Sequence, residues 1–381
     1  MTATAQSTVK RAVQRFGTSV RAAAIAVLGF IVLSSPVAAD DDRGDATVRV
    51  MTGNLYFGST ADAVTGATSF PALVAAAAQV YQEIAASKPT ERAAAVAREI
   101  ARNNVDLVGF QEAGLIRKGQ LQLPPNPATF LPATTVVSDQ LQLVLDELDR
   151  LGERYKVVAI VPGFDAQLPT TLGFDARLTT RIAIIARAHR SSDLRLSNVQ
   201  IQSYLNNSAL STVGGPLPDT RGWASVDVET GGRKFRFATT HLDTTNPAIQ
   251  IKQAHEMIGG AGATNLPLVF VGDFNAVANS GLDPSFPTYQ KFINAGFAEA
   301  WPARRAPDPG FTCCQASNLL NPASQLSKRV DLVLTKGDIQ VVDIKRIGEN
   351  PSDRTASGLW PSDHAGVIAT LKIRRKNGNH H

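Results

Sequence analysis

This sequence predicts an α/β layered domain, and three observations carry that prediction. Strand-like apolar runs recur along almost the whole chain, a few helical stretches fall between them, and the polar clusters mostly stand where those runs end. A helical bundle would lack the strands, and a pure β-sandwich would lack the alanine-rich stretch of residues 73–103. A site built at one rim of a sheet-based core would need polar groups at strand ends.

In chain order, residues 1–39 have the three parts of an export signal. Lys10, Arg11, Arg15 and Arg21 make it basic, Ala22 to Leu33 is apolar, and Val37-Ala38-Ala39 is a small-residue exit, so cleavage is expected after Ala39. The apolar run is too short to span a bilayer comfortably, which makes an exported, secreted or periplasmic protein the expectation and an uncleaved anchor the alternative. Asp40-Asp41-Asp42 begins a polar lead-in to a first strand, Thr47 to Met51, whose end delivers Asn54. Leu73 to Asn103 reads as two helices interrupted at Lys88-Pro89, and Val105 to Phe110 as a buried strand ending at Gln111-Glu112. Residues 121–135 are proline-rich and aperiodic, hence a loop or lobe, before an amphipathic helix near Ser138 to Leu151. Further strands are expected at Lys156–Val161, Arg181–Ala186, Trp223–Val228, Phe235–Thr240, Leu268–Val271, Val330–Leu334, Ile339–Ile344 and Gly366–Ile373. Residues 40–373 are read as one catalytic domain and residues 374–381 as a disordered tail.

Charge excludes less than it first suggests. The signal carries four of the 38 Lys and Arg residues, leaving 34 against 33 Asp and Glu, so net charge offers no nucleic-acid footprint. The only two cysteines, Cys313 and Cys314, are adjacent and cannot staple distant segments. A bridge between neighbours, free thiols and an intermolecular link all stay open.

Glu112 follows Val108-Gly109-Phe110, so its carboxylate emerges from a core strand, as an oxygen ligand for a hard cation such as Mg²⁺ would. Asp273 and Asn275 in Gly272-Asp273-Phe274-Asn275 are two apart and project to one side of an extended end, the first to position water, the second to hydrogen-bond a phosphoryl oxygen. His241, directly after a strand, is suited to protonating or hydrogen-bonding phosphate. In Ser362-Asp363-His364 a carboxylate for metal stands beside a base for water. Asp331, which interrupts an apolar strand, is the candidate to orient that base; a salt bridge to Arg329 is its plain alternative. Asn54 offers its amide to the metal shell or the phosphate, Arg181 a planar fork to clamp phosphate, and Arg221 a weaker version of the same.

Asn54, Gln111-Glu112, Thr240-His241-Leu242, Gly272-Asp273-Phe274-Asn275, Asp331 and Ser362-Asp363-His364 stand in an order that resembles the endonuclease/exonuclease/phosphatase superfamily. The resemblance implies a deoxyribonuclease-I-like, four-layer α/β/β/α sandwich of two packed mixed sheets, with Mg²⁺ (or Mn²⁺ or Ca²⁺ in its stead) at one rim. By the same motifs, Glu112 is the principal metal ligand assisted by Asn54 and Asp363. His364 is the base oriented by Asp331, while Asp273, Asn275 and His241 hold nucleophile and phosphate. The implied activity is phosphodiester hydrolysis by in-line attack of water.

The leading substrate is nucleic acid, because Arg181 before an apolar strand resembles a phosphate-contacting arginine of secreted nucleases. A phospholipid headgroup, as for sphingomyelinases and phospholipases C, is the alternative, with Phe164, Phe174, Trp301 and Phe311 in loop-like positions to meet a membrane. The superfamily's inositol-phosphatase signature is absent, Ser327-Lys328-Arg329-Val330 standing in its place. A non-catalytic binding protein on the same fold is a further alternative, disfavoured because no ligand or base is missing. No stable protein partner is expected, and a monomer is.

Overall fold

The structure, a computed structural model, describes residues 44–123, 125, 127–188 and 194–374. The expected export signal and all of the expected tail except Arg374 lie outside the described residues. Arg374 itself donates its backbone N–H to Asp338 O at 2.9 Å, so the ordered chain reaches one residue past the expected boundary.

Strands β1 (Ala46–Asn54) and β2 (Leu107–Gln111) run parallel, with helices α1 (Asp62–Thr65), α2 (Phe70–Ala86) and α3 (Pro89–Arg102) between them. Next come β3 (Leu115–Gln120), β4 (Thr135–Asp139), α4 (Gln140–Arg150), β5 (Tyr155–Pro169), β6 (Phe174–Arg187), β7 (Arg195–Ser203), β8 (Ser208–Leu210) and β9 (Leu217–Asp219). The C-terminal half holds β10 (Gly222–Thr230), β11 (Arg233–His241), α5 (Pro247–Gly259), β12 (Leu268–Asp273), α6 (Phe286–Asn294), β13 (Ala298–Glu299) and α7 (Ala300–Arg305). It closes with β14 (Asp331–Lys336), β15 (Ile339–Ile347) and β16 (Gly366–Ile373). Among the described residues these form two mixed sheets. One has the order β15-β16-β1-β2-β6-β3-β4 with β5 on β6, the other β13-β14-β12-β11-β10-β7, and β8-β9 is a separate ribbon.

The apolar runs are continuous because both faces of each central strand are covered. Along β12, Val269 and Val271 face the other sheet, while Leu268 and Phe270 face α5 and α6. On β1, Val48 and Val50 point between the sheets and Met51 points toward α3 and α4. Two sheets packed face to face with helices outside each make the four-layer α/β/β/α sandwich. Burying each large side chain such as Phe235, Phe237 or Phe270 contributes about 1.5–3 kcal/mol, so the layer order is over-determined.

Several expected elements differ. β5 and β6 run well beyond the expected segments and form a long hairpin, and two strands not expected, β3 and β4, flank the loop of residues 121–135, β4 taking in the expected helix start at Ser138. Their mixed polar and apolar residues pair at a sheet edge, where one side faces solvent, so they lack the apolar density that marks a central strand. Phe164 and Phe174 therefore lie on strands, and Trp301 is buried in the core rather than offered on a loop.

Candidate active site

Register brings the polar strand ends into line. In the first sheet Asn54 pairs with Gln111; in the second His241 pairs with Asp273, and Asp273 with Asp331. Facing sheets place these two rows at the same rim. Gln111 ties them together: it accepts from Thr52 Oγ1 at 3.1 Å and donates to Thr239 Oγ1, on the other sheet, at 3.0 Å. Gly109 allows that approach, since a Cβ there would run into Thr239 and Val271.

Past the strand ends the backbone turns sharply. Tyr56, Glu112 and Asn275 adopt φ of 50°, 51° and 48°, a left-handed conformation costing a non-glycine residue about 1–2 kcal/mol and tolerated best by asparagine. Glu112 makes its turn between β2 and β3, which lie end to end along β6. Its carboxylate is thereby lifted out of the sheet into a cavity it shares with His241 and Asp363. Strain of this kind persists only where the surroundings hold it, and at Tyr56 buried Arg92 and Gln140 do so. Arg92 donates to Leu55 O (2.7 Å), Tyr56 O (2.8 Å), Pro361 O (3.1 Å) and Ser87 O (2.9 Å), and Gln140 donates to Tyr56 O (2.9 Å) while accepting from Gly114 N (2.8 Å). Neither was foreseen: Arg92 in an alanine-rich helix and Gln140 in an amphipathic one read as surface residues.

Around His364 the geometry is close. Its Nδ1 lies 2.8 Å from Asp331 Oδ2, so Nδ1 carries the proton and Nε2 faces outward, where its recorded contact is Cys314 Sγ at 3.8 Å. Asp331 does not pair with Arg329, which instead grips Glu299 at 2.7 Å. Asp273 Oδ2 accepts from the Asn54 amide (3.1 Å) and lies 3.5 Å from His241 Nε2, while Oδ1 accepts from Asn275 N (2.9 Å). The side-chain oxygen Oδ1 of Asn54 accepts from Tyr56 N at 2.8 Å. Asn275 turns its amide to Leu242 O at 3.0 Å, so within these contacts its donor is used internally. Ser362 Oγ donates to Asn54 O at 2.7 Å and joins the last loop to the first strand. Cys313 and Cys314 are joined to each other by a disulfide beside this loop.

Electrostatically the site is dominated by buried carboxylates. Burial, then the Asp363 charge, pushes Glu112 up to about 7, and burial with the Asp331 charge pushes Asp273 up to about 6. Burial also raises Asp363. Burial draws His364 down, but Asp331, Asp363 and Asp273 outweigh it and hold it well above the usual range. His241 is the reverse: burial, with Arg221 and His364 nearby, holds it neutral. Its Nε2 is buried without a hydrogen bond, as is Asp331 Oδ1. Buried carboxylates that raise one another's pKa, beside an orphaned imidazole nitrogen, fit a hard divalent cation and a bound oxyanion. Glu112 and Asp363, the acidic ligands expected from the sequence, line one side of the site, and Asp273, Asp331 and His364 bring their donor atoms within 4.8 Å of one another beside Asn54.

Arg181 calls for a correction. The sequence offered it as a phosphate clamp, yet its fork is taken by Asp139, with Nη1–Oδ2 at 3.1 Å and Nη2–Oδ1 at 2.5 Å, while Nε donates to Ala113 O at 3.0 Å. Asp139 is also the N-cap of α4, accepting from Gln142 N, so the pair anchors that helix to β6. A carboxylate presents the same bidentate geometry as phosphate, and local sequence does not reveal which fills the fork.

The sequence profile of the Endonuclease/Exonuclease/phosphatase family matches residues 51–364, from β1 to His364. The chain belongs to this family. Members of the endonuclease/exonuclease/phosphatase family are phosphoric ester hydrolases, and this chain is one of them. Among solved structures it is similar to an endonuclease/exonuclease/phosphatase family protein from Leptotrichia buccalis C-1013-b, with 15% identity over 85% of this chain and 99% of that one, at a TM-score of 0.53. A second, from Beutenbergia cavernae DSM 12333, is 17% identical over 86% of this chain and 72% of that one, at a TM-score of 0.50. At these identities the likeness bears on the shared fold. No curated protein matches the chain.

Proposed function

We propose that the protein is an exported, divalent-metal-dependent phosphodiesterase whose centre is the group Asn54, Glu112, His241, Asp273, Asn275, Asp331, Asp363 and His364. The observation that carries this reading is the hydrogen-bonded pair Asp331–His364 set against the row His241–Asp273–Asp331, with the raised carboxylates of Glu112 and Asp363 opposite. A divalent ion at Glu112, Asp363 and Asn54 would supply positive charge to the phosphoryl oxygens and the leaving oxygen.

The protein's own groups do the rest. His364 Nε2 takes a proton from water as its oxygen attacks phosphorus, and Asp331 holds the ring and stabilises the imidazolium. Asp273 accepts a hydrogen bond from the same water and orients it. His241, neutral and with Nε2 otherwise unpartnered, donates to a phosphoryl oxygen, and Asn275 stands beside it. The P–O bond to the leaving oxygen breaks opposite the water, its electron pair stays on that oxygen, which takes a proton from solvent while His364 returns its own to solvent, giving a phosphomonoester and a free alcohol with no covalent enzyme intermediate.

Hydrolysis of bis(4-nitrophenyl) phosphate is expected in Mg²⁺, lost in chelator and restored by adding the ion back. A folded protein that leaves this diester intact in Mg²⁺, Mn²⁺ and Ca²⁺ would refute the reading. Nicking of supercoiled plasmid under the same conditions tests nucleic acid, the substrate the sequence ranks first. The occupied fork of Arg181 removes one support for nucleic acid, and a large apolar cavity at the site favours the second reading, a phospholipid-like ester. Export as a monomer after cleavage at Ala39-Asp40 completes the proposal; an extracellular protein whose N-terminus is not Asp40 would overturn that cleavage.

A further inference from the structure

α2 meets the β5–β6 hairpin along part of its length, where Val80 and Leu168 share a cluster with Leu73 and Tyr81 packs on Phe174, and beside that contact the layers part. A cavity of about 500 Å³ lies there, whereas packed protein layers leave few voids larger than a water. Its helical wall is Ala77, Val80, Tyr81 and Ile84, the i, i+3, i+4, i+7 face that an amphipathic helix normally buries in a core. Its sheet wall is Ala166 and Leu168 on β5 with their register partners Leu178 and Ala176 on β6, alternate positions that share one face. Beyond their mutual contact, two apolar faces thus line one open space. One end of that space is formed by Glu112, His241 and Asp363.

The charged groups of the walls argue against a polyanion. Arg177 is engaged by Asp165, with Nε–Oδ1 at 2.9 Å and a second bond from Nη2. Arg221 is engaged by Asp219 through two bonds of 2.9 Å. Nucleic-acid binding draws its affinity from cations free to neutralise phosphates, and both arginines here are already neutralised by carboxylates.

We propose that this cavity is the subsite for the hydrocarbon chain of an amphiphilic phosphoester, whose phosphate lies at Glu112, His241 and Asp363. The inference rests on the phosphodiesterase reading and names its substrate class. The helical wall is about 10 Å long at 1.5 Å per residue, and the volume holds about 16 methylene-sized groups if each takes ~30 Å³ as a water does. That suits a single medium-length alkyl or acyl chain in a pocket of ordinary ligand-site size.

Alkylphosphonates, which cannot be hydrolysed, separate the parts of the claim. Calorimetric titration of the protein in Mg²⁺ is expected to show octylphosphonate binding at least tenfold more tightly than methylphosphonate, since burying each methylene is worth up to about fourfold in affinity. Ala166→Trp, which fills the cavity from a half-buried strand position, is expected to bring octylphosphonate to the methylphosphonate level while leaving methylphosphonate unchanged. Val80→Asp, which places a charge in the apolar wall, should do the same. Equal affinities for the two ligands, or an octyl preference that survives both variants, would overturn the subsite and leave the phosphodiesterase reading standing. So would a thymidine dinucleotide that displaces methylphosphonate more tightly than octylphosphonate does. Failure of both phosphonates while 1-octanol still binds and is lost in Ala166→Trp would keep an apolar site but overturn the phosphate centre.

Discussion

Replacing His364 by Ala is expected to lower kcat by about 10²–10⁴-fold, the range of a positioned general base. Nε2 is the only ring atom in a position to take the proton of water, because Nδ1 is committed to Asp331 at 2.8 Å. The imidazole accepts a proton only when neutral, and the surrounding carboxylates hold it well above its usual range. The rate of the native protein should therefore rise with pH as His364 loses its proton, and that rise should vanish in His364→Ala. Added imidazole is expected to restore part of the rate by entering the space left, which a purely structural histidine would not allow. An unchanged kcat in a variant with native circular dichroism would remove His364 from the chemistry.

Glu112→Gln is expected to cut activity at saturating Mg²⁺ by two orders of magnitude or more and yet to stabilise the metal-free protein. The carboxylate is buried, repelled by Asp363 and displaced to about 7 from an ordinary value of 4.5. A carboxyl raised in this way contributes most to folding below its unfolded value, and that contribution is lost as pH rises through about 7. An uncharged amide of the same shape avoids the loss. In chelator at pH 8 the melting temperature should rise, by roughly 2–4 °C for each kcal/mol of repulsion removed; at pH 4 the two proteins should melt alike. Added Mg²⁺ should reverse the order by stabilising only the native protein. A variant that melts lower than the native protein in chelator would mean that Glu112 serves structure rather than a cation. The left-handed turn that presents this side chain points the same way, since strain held at a site costs stability that the fold supplies elsewhere.

Of the four aromatic residues expected to meet a membrane, Phe311 lies half-buried in a loop and the other three are placed otherwise. Phe164 lines the apolar cavity, Phe174 packs edge-on against Tyr81 at 5.0 Å, and Trp301 is buried. The large exposed apolar side chains among the described residues include Phe130 and Leu131, in the segment read from composition as an aperiodic loop.

What the sequence determined by itself was the layer type and the order of the polar strand ends. Apolar runs such as Leu268 to Val271 declare buried strands whatever surrounds them, because burial on both faces demands near-continuous hydrophobicity, and Phe235 to Thr240 departs from that only at Arg236 and its two threonines. The groups that follow such runs, His241, Asp273, Asn54 and Glu112, must then stand at strand ends, and so their convergence could be read before any fold was known. β3 and the edge strand β4 were not legible, since half their residues face water and β3 takes its pairing from β6, far along the chain, before β4 pairs with β3. Tertiary structure alone decided the fate of each charged fork: Arg181 to Asp139, Arg329 to Glu299, Arg221 to Asp219, and Arg92 to four backbone carbonyls. An arginine recognises carboxylate, phosphate or carbonyl with the same donors, and which one it meets depends on partners up to 269 positions away. The cavity between α2 and the β5–β6 hairpin was decided there as well. A stripe of apolar residues on a helix states only that something must cover it, and distance between layers determines whether that is the core or a ligand.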